Sequence, residues 1–428
     1  MAAEAPVIVV GAGLAGLACA GELTAAGVSV RVLEASDDVG GRVRTDIIDG
    51  FVVDRGFQVI LTAYPELHRQ FDVDALDLRE FDPGALVWRG GRGHVVSDPF
   101  RDPRHVLATA TAPIGTLMDK ARIARLRARV RSGHPSRLLA GEDISTLEAL
   151  RSDGFSEAMI ERFLRSLVGG IQLDADLGDS RRMFDIIFRM LADGAAAVPA
   201  GGMGAIPRQL AGRLAPDSIE FGATVSAVRP QRVEIGGTGM AARAVVVATE
   251  GPTAAELLGL GTVASKSVGS VWFAADQTPT TSRLVILDGE GAGPVLNVAV
   301  MSNIADTYAP NGGHVIAASL PGTVDGDLDA LARQQLRGWW GRDIDSWQTL
   351  AVHRIHHGQP RQRPPFAPKR PVETADGVFV CGDHRDTASS QGALFSGRRC
   401  AHRVLAALGH PTTDTTNQTR RYDRVSER

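Results

Sequence analysis

Cysteine is scarce in this chain of 428 residues: Cys19, Cys381 and Cys400 are the full set. They form no CxxC pair, and so small and odd a number excludes a disulfide scaffold and argues for a reducing compartment. Cys381 and Cys400 read as small packing residues with no second cysteine nearby. An excess of one charge is also missing. Against 46 Lys+Arg stand 49 Asp+Glu, a net −3, so no bulk field draws nucleic acid or an acidic membrane. No hydrophobic run is long enough to span a bilayer, and the longest, Val7 to Ala20, is broken by glycines. Met1 to Pro6 is acidic and does not read as a signal peptide. A cytoplasmic protein without nucleic-acid partners is expected. Internal repeats and low-complexity linkers are absent as well. What is present is ordinary: 44% hydrophobic and 22% charged residues, over a length that calls for two or more folding units.

The N-terminus carries the most information. Val7 to Val10 is a short apolar run of the kind found in a parallel strand buried on both faces. Gly11-Ala12-Gly13-Leu14-Ala15-Gly16 follows as a GxGxxG fingerprint. Gly11 permits the tight turn, Gly13 lets backbone approach a pyrophosphate, and Gly16 allows close helix–strand packing. A helix over Leu14 to Ala26 should end at Gly27, with the N–H groups at Leu14 and Ala15 facing the pyrophosphate charge. Val28 to Leu33 reads as the second strand. Glu34, followed by Ala35, stands where a carboxylate binds adenosine ribose hydroxyls. By contrast, Gly237 to Ala242 fits a degenerate GxGxxA but leaves no room for a helix before Ala244, so a hairpin is expected and a second dinucleotide fold is not.

The stretch Gly40-Gly41-Arg42-Val43-Arg44-Thr45 resembles the GGRxxT signature of the FAD-dependent amine-oxidase, protoporphyrinogen-oxidase and phytoene-desaturase superfamily. The resemblance implies that Gly40 and Gly41 bring backbone to the FAD diphosphate and that Arg42 adds charge-assisted hydrogen bonds there. Asp54-Arg55-Gly56-Phe57-Gln58 resembles the segment passing beside the flavin ring, with Gly56, Phe57 and Gln58 as the contact residues the resemblance implies. Val198 to Met203 is similar to the entry back into the FAD domain, with a helix expected over Ile206 to Leu214. Val225 resembles the strand end whose backbone meets the adenine, and Ala244 to Thr249 the strand closing that lobe. Near the C-terminus, Gly382-Asp383 and Ser389 to Ala401 resemble the terminal motif, particularly of the phytoene-desaturase branch. There Asp383 would bind the ribityl and diphosphate region. Gly392, Ala393 and Leu394 would open a helix aimed at the flavin pyrimidine edge, where reduced flavin is negative.

The fold implied is α/β: a Rossmann-like FAD-binding domain from residues 1–60, 195–250 and 375–410, with an inserted α+β substrate domain, partly helical, from 61–194 and 251–374. Residues 411–428 form a polar tail expected to be disordered. FAD is expected to bind non-covalently.

Amine oxidases of this superfamily carry a lysine on a substrate-lobe strand and an aromatic pair facing the flavin. Here Lys266 falls about three residues too early, and Gly269 and Ser270 occupy the position, so Lys266 reads as a solvated strand-end residue. The aromatic pair is missing too. The desaturase-like branch needs fewer protein groups, because hydride passes to flavin N5 and positioning supplies much of the catalysis. Strand alternation over His353 to His357 puts His353, Ile355 and His357 on one face and Arg354 and His356 on the other. His357 and Arg354 are the candidate catalytic residues. No metal site is expected, since adjacent histidines point apart and no carboxylate or Cys ligand is nearby. Ala121 to Arg131 is a basic amphipathic stretch with two readings, a solvated helix packed on the lobe or a peripheral membrane contact admitting an apolar substrate.

The leading expectation is an FAD-dependent oxidoreductase that removes hydride from, or isomerises, an apolar, isoprenoid-like small molecule, with oxygen or another carrier as electron acceptor. Two alternatives are an amine or amino-acid oxidase using oxygen, and a flavin-binding partner protein without turnover.

Overall fold

A computed structural model describes residues 4–140 and 142–411. The expected tail therefore lies outside the described residues from 412 onward. Apolar runs with no alternation must be covered on both faces, and Val7–Val10 is buried along its whole length. It is the central strand of a five-stranded parallel sheet, flanked by Val30–Leu33 and Val245–Val247, with Ile219–Glu220 and Phe379–Val380 at the edges. The second strand starts two residues later than expected because Gly27, at φ +78°, turns the chain and Val28 N–H still bonds to Leu23 O.

Helix Leu14–Ala25 covers one face of this sheet and packs against the C-terminal helix Ser390–Ala407. Gly397 permits that approach, since a Cβ there would stand 2.2 Å from Ala15 O. Cys19, Cys381 and Cys400 are buried and free, and they come within hydrogen-bonding reach of one another beneath these helices. The expectation of no nearby second cysteine is thus corrected: residues hundreds of positions apart converge at one seam.

A small antiparallel sheet sits beside this lobe. Arg232–Ile235 and Thr238–Ala241 form the expected hairpin, and its two-residue turn, Gly236-Gly237, has φ of +54° and +78°, the positive pair that such turns require. The helix expected over Ile206 to Leu214 runs Ala205–Ala211.

The second lobe centres on a seven-stranded sheet in the order Gln348–Pro360, Ser265–Ala275, His314–Pro321, Asn297–Val300, Val285–Asp288, Gly84–Arg89, Arg92–Ser97. Period-two alternation divides its faces. Val271, Phe273, Ile316 and Ala318 pack into a core shared with helix Leu328–Trp340. Trp272, Ala317 and Ala299 point the other way, into the core of the first lobe. The sheet face that looks toward the fingerprint loop is fixed by this packing.

Helix Leu117–Arg131 contains the basic amphipathic stretch. Leu126 and Val130 are buried in a helical core with Phe163, Leu164 and Phe184. Three of its arginines are paired: Arg127 with Asp98 at 3.1 Å, Arg129 with Asp185 at 2.7 Å, Arg131 with Asp193 at 2.6 Å. Leu126 and Val130 are therefore turned into the lobe, the arrangement of the packed-helix reading of 121–131. Among the described residues no helix is long and apolar enough to cross a membrane.

Candidate cofactor and active site

Three loops converge at the C-terminal ends of the parallel strands, the usual ligand position in such sheets. The first is the fingerprint. Gly11 adopts φ +106°, and a Cβ there would lie 3.0 Å from Ala248 O. At Gly16 a Cβ would fall 2.0 Å from Gly11 O, which no side chain survives. Gly13 differs, because nothing lies within 4 Å of its ideal Cβ. Two glycines thus shape the turn, and the third leaves its backbone open to a ligand next to the helix start at Leu14 and Ala15.

The second strand ends in Glu34, 9% exposed. Its Oε2 accepts from Ala12 N–H at 2.6 Å, and its Oε1 accepts from Ser36 N–H at 2.9 Å and from the Ser36 hydroxyl at 2.7 Å. These bonds fix the carboxylate at the rim, and its remaining lone pairs suit ribose hydroxyls. Ala35 follows, exposed.

The second loop folds onto the first. Gly40 N–H bonds to Ala12 O at 2.9 Å, and Gly40 and Gly41 take φ of +112° and +59°. Arg42 Nη1 donates to Gly358 O at 2.7 Å and meets Asp383 Oδ2 at 2.9 Å. Gln58 Nε2 donates to Arg42 O at 2.8 Å, and Gly56 leaves room for Ile355, whose Cδ1 lies 3.0 Å from the ideal Cβ. Phe57 packs at the edge of the first lobe's core. Val225 begins the small antiparallel sheet.

The third loop carries Gly382, Asp383 and the C-terminal helix. Gly382 adopts φ +149° and donates its N–H to Ser396 Oγ at 3.1 Å. Burial opposes ionisation of Asp383, yet the charge and hydrogen bond of Arg42 hold its carboxyl below the ordinary value. Its Oδ1 is buried without a partner. Ser389 Oγ caps the helix by accepting from Gly392 N–H at 3.0 Å. A Cβ at Gly392 would lie 2.0 Å from Thr387 O, while Ala393 and Leu394 are buried.

His357 joins this cluster from the substrate-lobe sheet. Its Nδ1 is 2.6 Å from Ser265 Oγ, and its Nε2 is buried and unpaired. Burial, reinforced by Arg42, pushes its pKa down to about 4, so the ring is neutral near pH 7. Arg354 lies on the opposite face. It is exposed and donates to the carbonyls of Val324 and Gly326, so alternation was read correctly but only one of the two candidates faces the loops. His356 is exposed on that outer face too.

Lys266 requires a larger correction. It is not solvated: its Nζ pairs with the Asp179 carboxylate, and both side chains are 2% exposed. Asp179 Oδ1 also accepts from Gln362 N–H at 3.1 Å, and Gln362 in turn bonds Asp386 O at 2.7 Å and Ala388 N–H at 3.0 Å. The lysine braces the loop ahead of the C-terminal helix.

One further residue, His384, escaped the sequence reading, and a second, Asp54, was read only as the start of a motif. His384, directly after Asp383, has both ring nitrogens buried without partners, and burial pushes its pKa down to about 4. Its place beside the Gly-Asp pair was the available signal. Asp54 is fully buried and accepts from Thr45 Oγ1 at 2.5 Å, Tyr308 OH at 2.8 Å and Met203 N–H at 2.9 Å. Burial pushes its pKa up to about 6. Its burial was not legible in the sequence, because Tyr308 and Met203, which hold it, lie far away along the chain.

The donor set fits a dinucleotide: an open backbone at Gly13, a fixed carboxylate at Glu34, the half-buried Arg42, and an unpaired carboxylate oxygen on Asp383. Residues 14–405 match the family model described as flavin containing amine oxidoreductase. The chain belongs to that family. Its cofactor is accordingly a flavin, FAD, and its class oxidoreductase. Within the family, the chain is 30% identical over 175 residues to coproporphyrinogen III oxidase of Propionibacterium freudenreichii subsp. freudenreichii, covering 40% of this chain and 32% of the relative. It is 50% identical over 66 residues to putrescine oxidase of Kocuria rosea, covering 15% and 14% of the two chains. The matches thus span about a third or less of these curated relatives' own length. Cyclohexylamine oxidase from Brevibacterium oxydans IH-35A shares the fold at a TM-score of 0.71 and 17% identity, covering 95% of this chain and all of the other. The names of these proteins point to different substrates: coproporphyrinogen III, putrescine and cyclohexylamine.

Proposed function

We propose that this flavin-containing oxidoreductase removes hydride from, or isomerises, an apolar, isoprenoid-like small molecule, and returns electrons to oxygen or another carrier. The observation that carries the reading is the neutrality of the sheet face turned toward the loops. Val268, Ser270 and Trp272 alternate onto that face, opposite Ile355, His353 and Ala351 of the neighbouring strand. Lysine, the residue type that would mark an amine-oxidase-like arrangement, is absent from it. Lys266 is locked to Asp179, and Lys120 donates to Ala110 O at 2.6 Å and Ala112 O at 3.0 Å in the helical part. Lys369 lies over the Phe395 ring, 5.8 Å from its centroid.

FAD, when bound, supplies a two-electron acceptor. The protein's own part is to bind and orient. Glu34, Gly13, Arg42 and Asp383 would hold the cofactor, and an apolar substrate is retained by burial of its surface rather than by ion pairing. The unpaired Nε2 of His357 offers a single neutral hydrogen bond, to position substrate or move one proton.

Absorption titration of the FAD-loaded protein with an isoprenoid, a porphyrinogen and a primary amine tests this reading. A saturable shift of the flavin band with the isoprenoid, and none with the amine, is expected. Saturable binding of the amine instead would overturn it.

A further inference from the structure

A second cleft borders the third cofactor loop, which supplies His384 and Arg385 to it. Its volume is about 280 Å³, and Gly251, Thr262, Val263, Arg370, His384 and Arg385 are among the residues that line it. No Asp or Glu is among the lining residues, and none comes from the fingerprint or the Gly40–Arg42 loop. Carboxylates flank the lining residues in sequence: Asp383 is paired with Arg42 and Asp386 with Arg399, Glu256 follows Ala255, and Glu250 is the N-cap residue of helix Gly251–Leu258, its charge interacting with Arg42 and Asp383. The Glu250 side chain makes no capping hydrogen bond, so the first N–H groups of that helix are left without a side-chain partner.

Three independent features mark this cleft as built for an anion. The first is His384, 4% exposed, with both ring nitrogens lacking a partner. A buried neutral imidazole carries one N–H donor that needs an acceptor. The second is uncompensated positive charge. Arg370 is exposed and forms no ion pair among the described residues. Arg385 donates to Pro371 O, a neutral acceptor, at 3.0 Å through Nε. Burial, and then the charges of Arg370 and Arg399, push the Arg385 pKa down. Arg399 is offset by Asp386 at 3.4 Å, whereas Arg370 and Arg385 have no such counterion. The third is the helix N-terminus at Gly251, whose dipole favours negative charge.

We propose that this cleft is a binding site for a phosphate-class dianion, contacted by Arg370, Arg385, His384 and the Gly251 helix N-terminus. A tetrahedral oxyanion has enough acceptor oxygens to satisfy two guanidinium groups, an imidazole N–H and a backbone N–H together. The site adjoins Asp383 through His384, so its occupant shares the third loop with the cofactor. The ion is either free or the terminal group of a larger phosphorylated ligand that leaves through the open side of the cleft.

Isothermal titration of inorganic phosphate and of glycerol phosphate into the FAD-loaded protein, in phosphate-free buffer of low ionic strength, tests the proposal. Saturable, single-site binding of phosphate is expected. Arg370→Gln should weaken it about tenfold or more, and Arg370→Lys should retain most of it. Arg370 is exposed, so these variants keep the fold. Comparable binding of glycerol phosphate assigns the site to the end group of a larger ligand, and binding of inorganic phosphate alone assigns it to the free ion. Three results overturn the proposal: no binding of either probe, binding unchanged by Arg370→Gln, or binding by apoprotein that vanishes on loading FAD. The last would show that phosphate was occupying the cofactor's own cradle.

Discussion

Replacing Lys266 by methionine removes one partner from an ion pair sealed inside the protein. Lys266 and Asp179 have side chains 2% exposed, so water cannot replace the lost ammonium. The variant leaves Asp179 Oδ2 without that partner, and Oδ1 retains the N–H of Gln362 at 3.1 Å. Breaking a buried pair from one side costs about 3–5 kcal/mol, a large share of the roughly 5–15 kcal/mol by which domains are stable. The damage should spread along Gln362 to the backbone of Asp386 and Ala388, and so to the entry of the helix Ser390–Ala407. Urea unfolding of wild type and Lys266→Met, followed by tryptophan and flavin fluorescence, measures the loss. An unchanged slope with a midpoint lowered by the equivalent of 3 kcal/mol or more, an order-of-magnitude figure, is the expected result. The double variant Lys266→Met with Asp179→Leu should recover most of it, because apolar groups replacing both partners leave no charge stranded. A loss below about 1 kcal/mol, typical of a solvated pair, would refute the reasoning and return Lys266 to the surface role its position first suggested.

The pH dependence of stability should carry the mark of Asp54. Its folded pKa is raised to about 6 from 3.8, so the folded state holds this proton more tightly than the unfolded chain. That contribution is complete below about pH 4 and is lost as pH rises through about 6, up to about 3 kcal/mol in all, and Asp54→Asn should flatten this part of the profile in thermal melts. Glu34→Ala and Asp383→Ala should each weaken FAD binding by about 1 kcal/mol or more in titrations of apoprotein, since each removes charge-assisted hydrogen bonds. Gly16→Ala should abolish FAD binding, because its Cβ would lie 2.0 Å from Gly11 O; retention of full affinity would mean that the fingerprint turn is formed differently. Acid or heat should release free FAD from the yellow protein, as judged by chromatography of the supernatant.

The parts legible in the sequence are those where the constraint is local. Gly11 and Gly16 are demanded by atoms within the same turn or its neighbouring strand, and Glu34 by a fixed distance along one βαβ unit. Alternation along Gln348–Pro360 separated His357 from Arg354 correctly, because period two is a property of the strand alone. Which of the two faces turns to the cofactor loops depends on packing against the first lobe, and no local pattern carries that information. Lys266 was misread for the same reason: the carboxylate that buries it lies 87 residues away. Helix Leu117–Arg131 shows how one periodicity serves two environments, since a stripe suited to lipid equally suits a protein core. The aspartates that pair with its arginines, Asp98, Asp185 and Asp193, sit elsewhere in the chain.

The central claim, hydride removal from an apolar molecule by a flavoprotein without the substrate-lobe lysine of amine oxidases, is tested most directly by anaerobic flavin bleaching. The FAD-loaded protein is mixed in a stopped-flow instrument with isoprenoids, porphyrinogens and amines, and the oxidised flavin band is followed. Bleaching by an isoprenoid, restored when oxygen or another carrier is admitted, with no response to amines, is the predicted result. Rapid bleaching by a primary amine, with isoprenoids inert, would contradict the account.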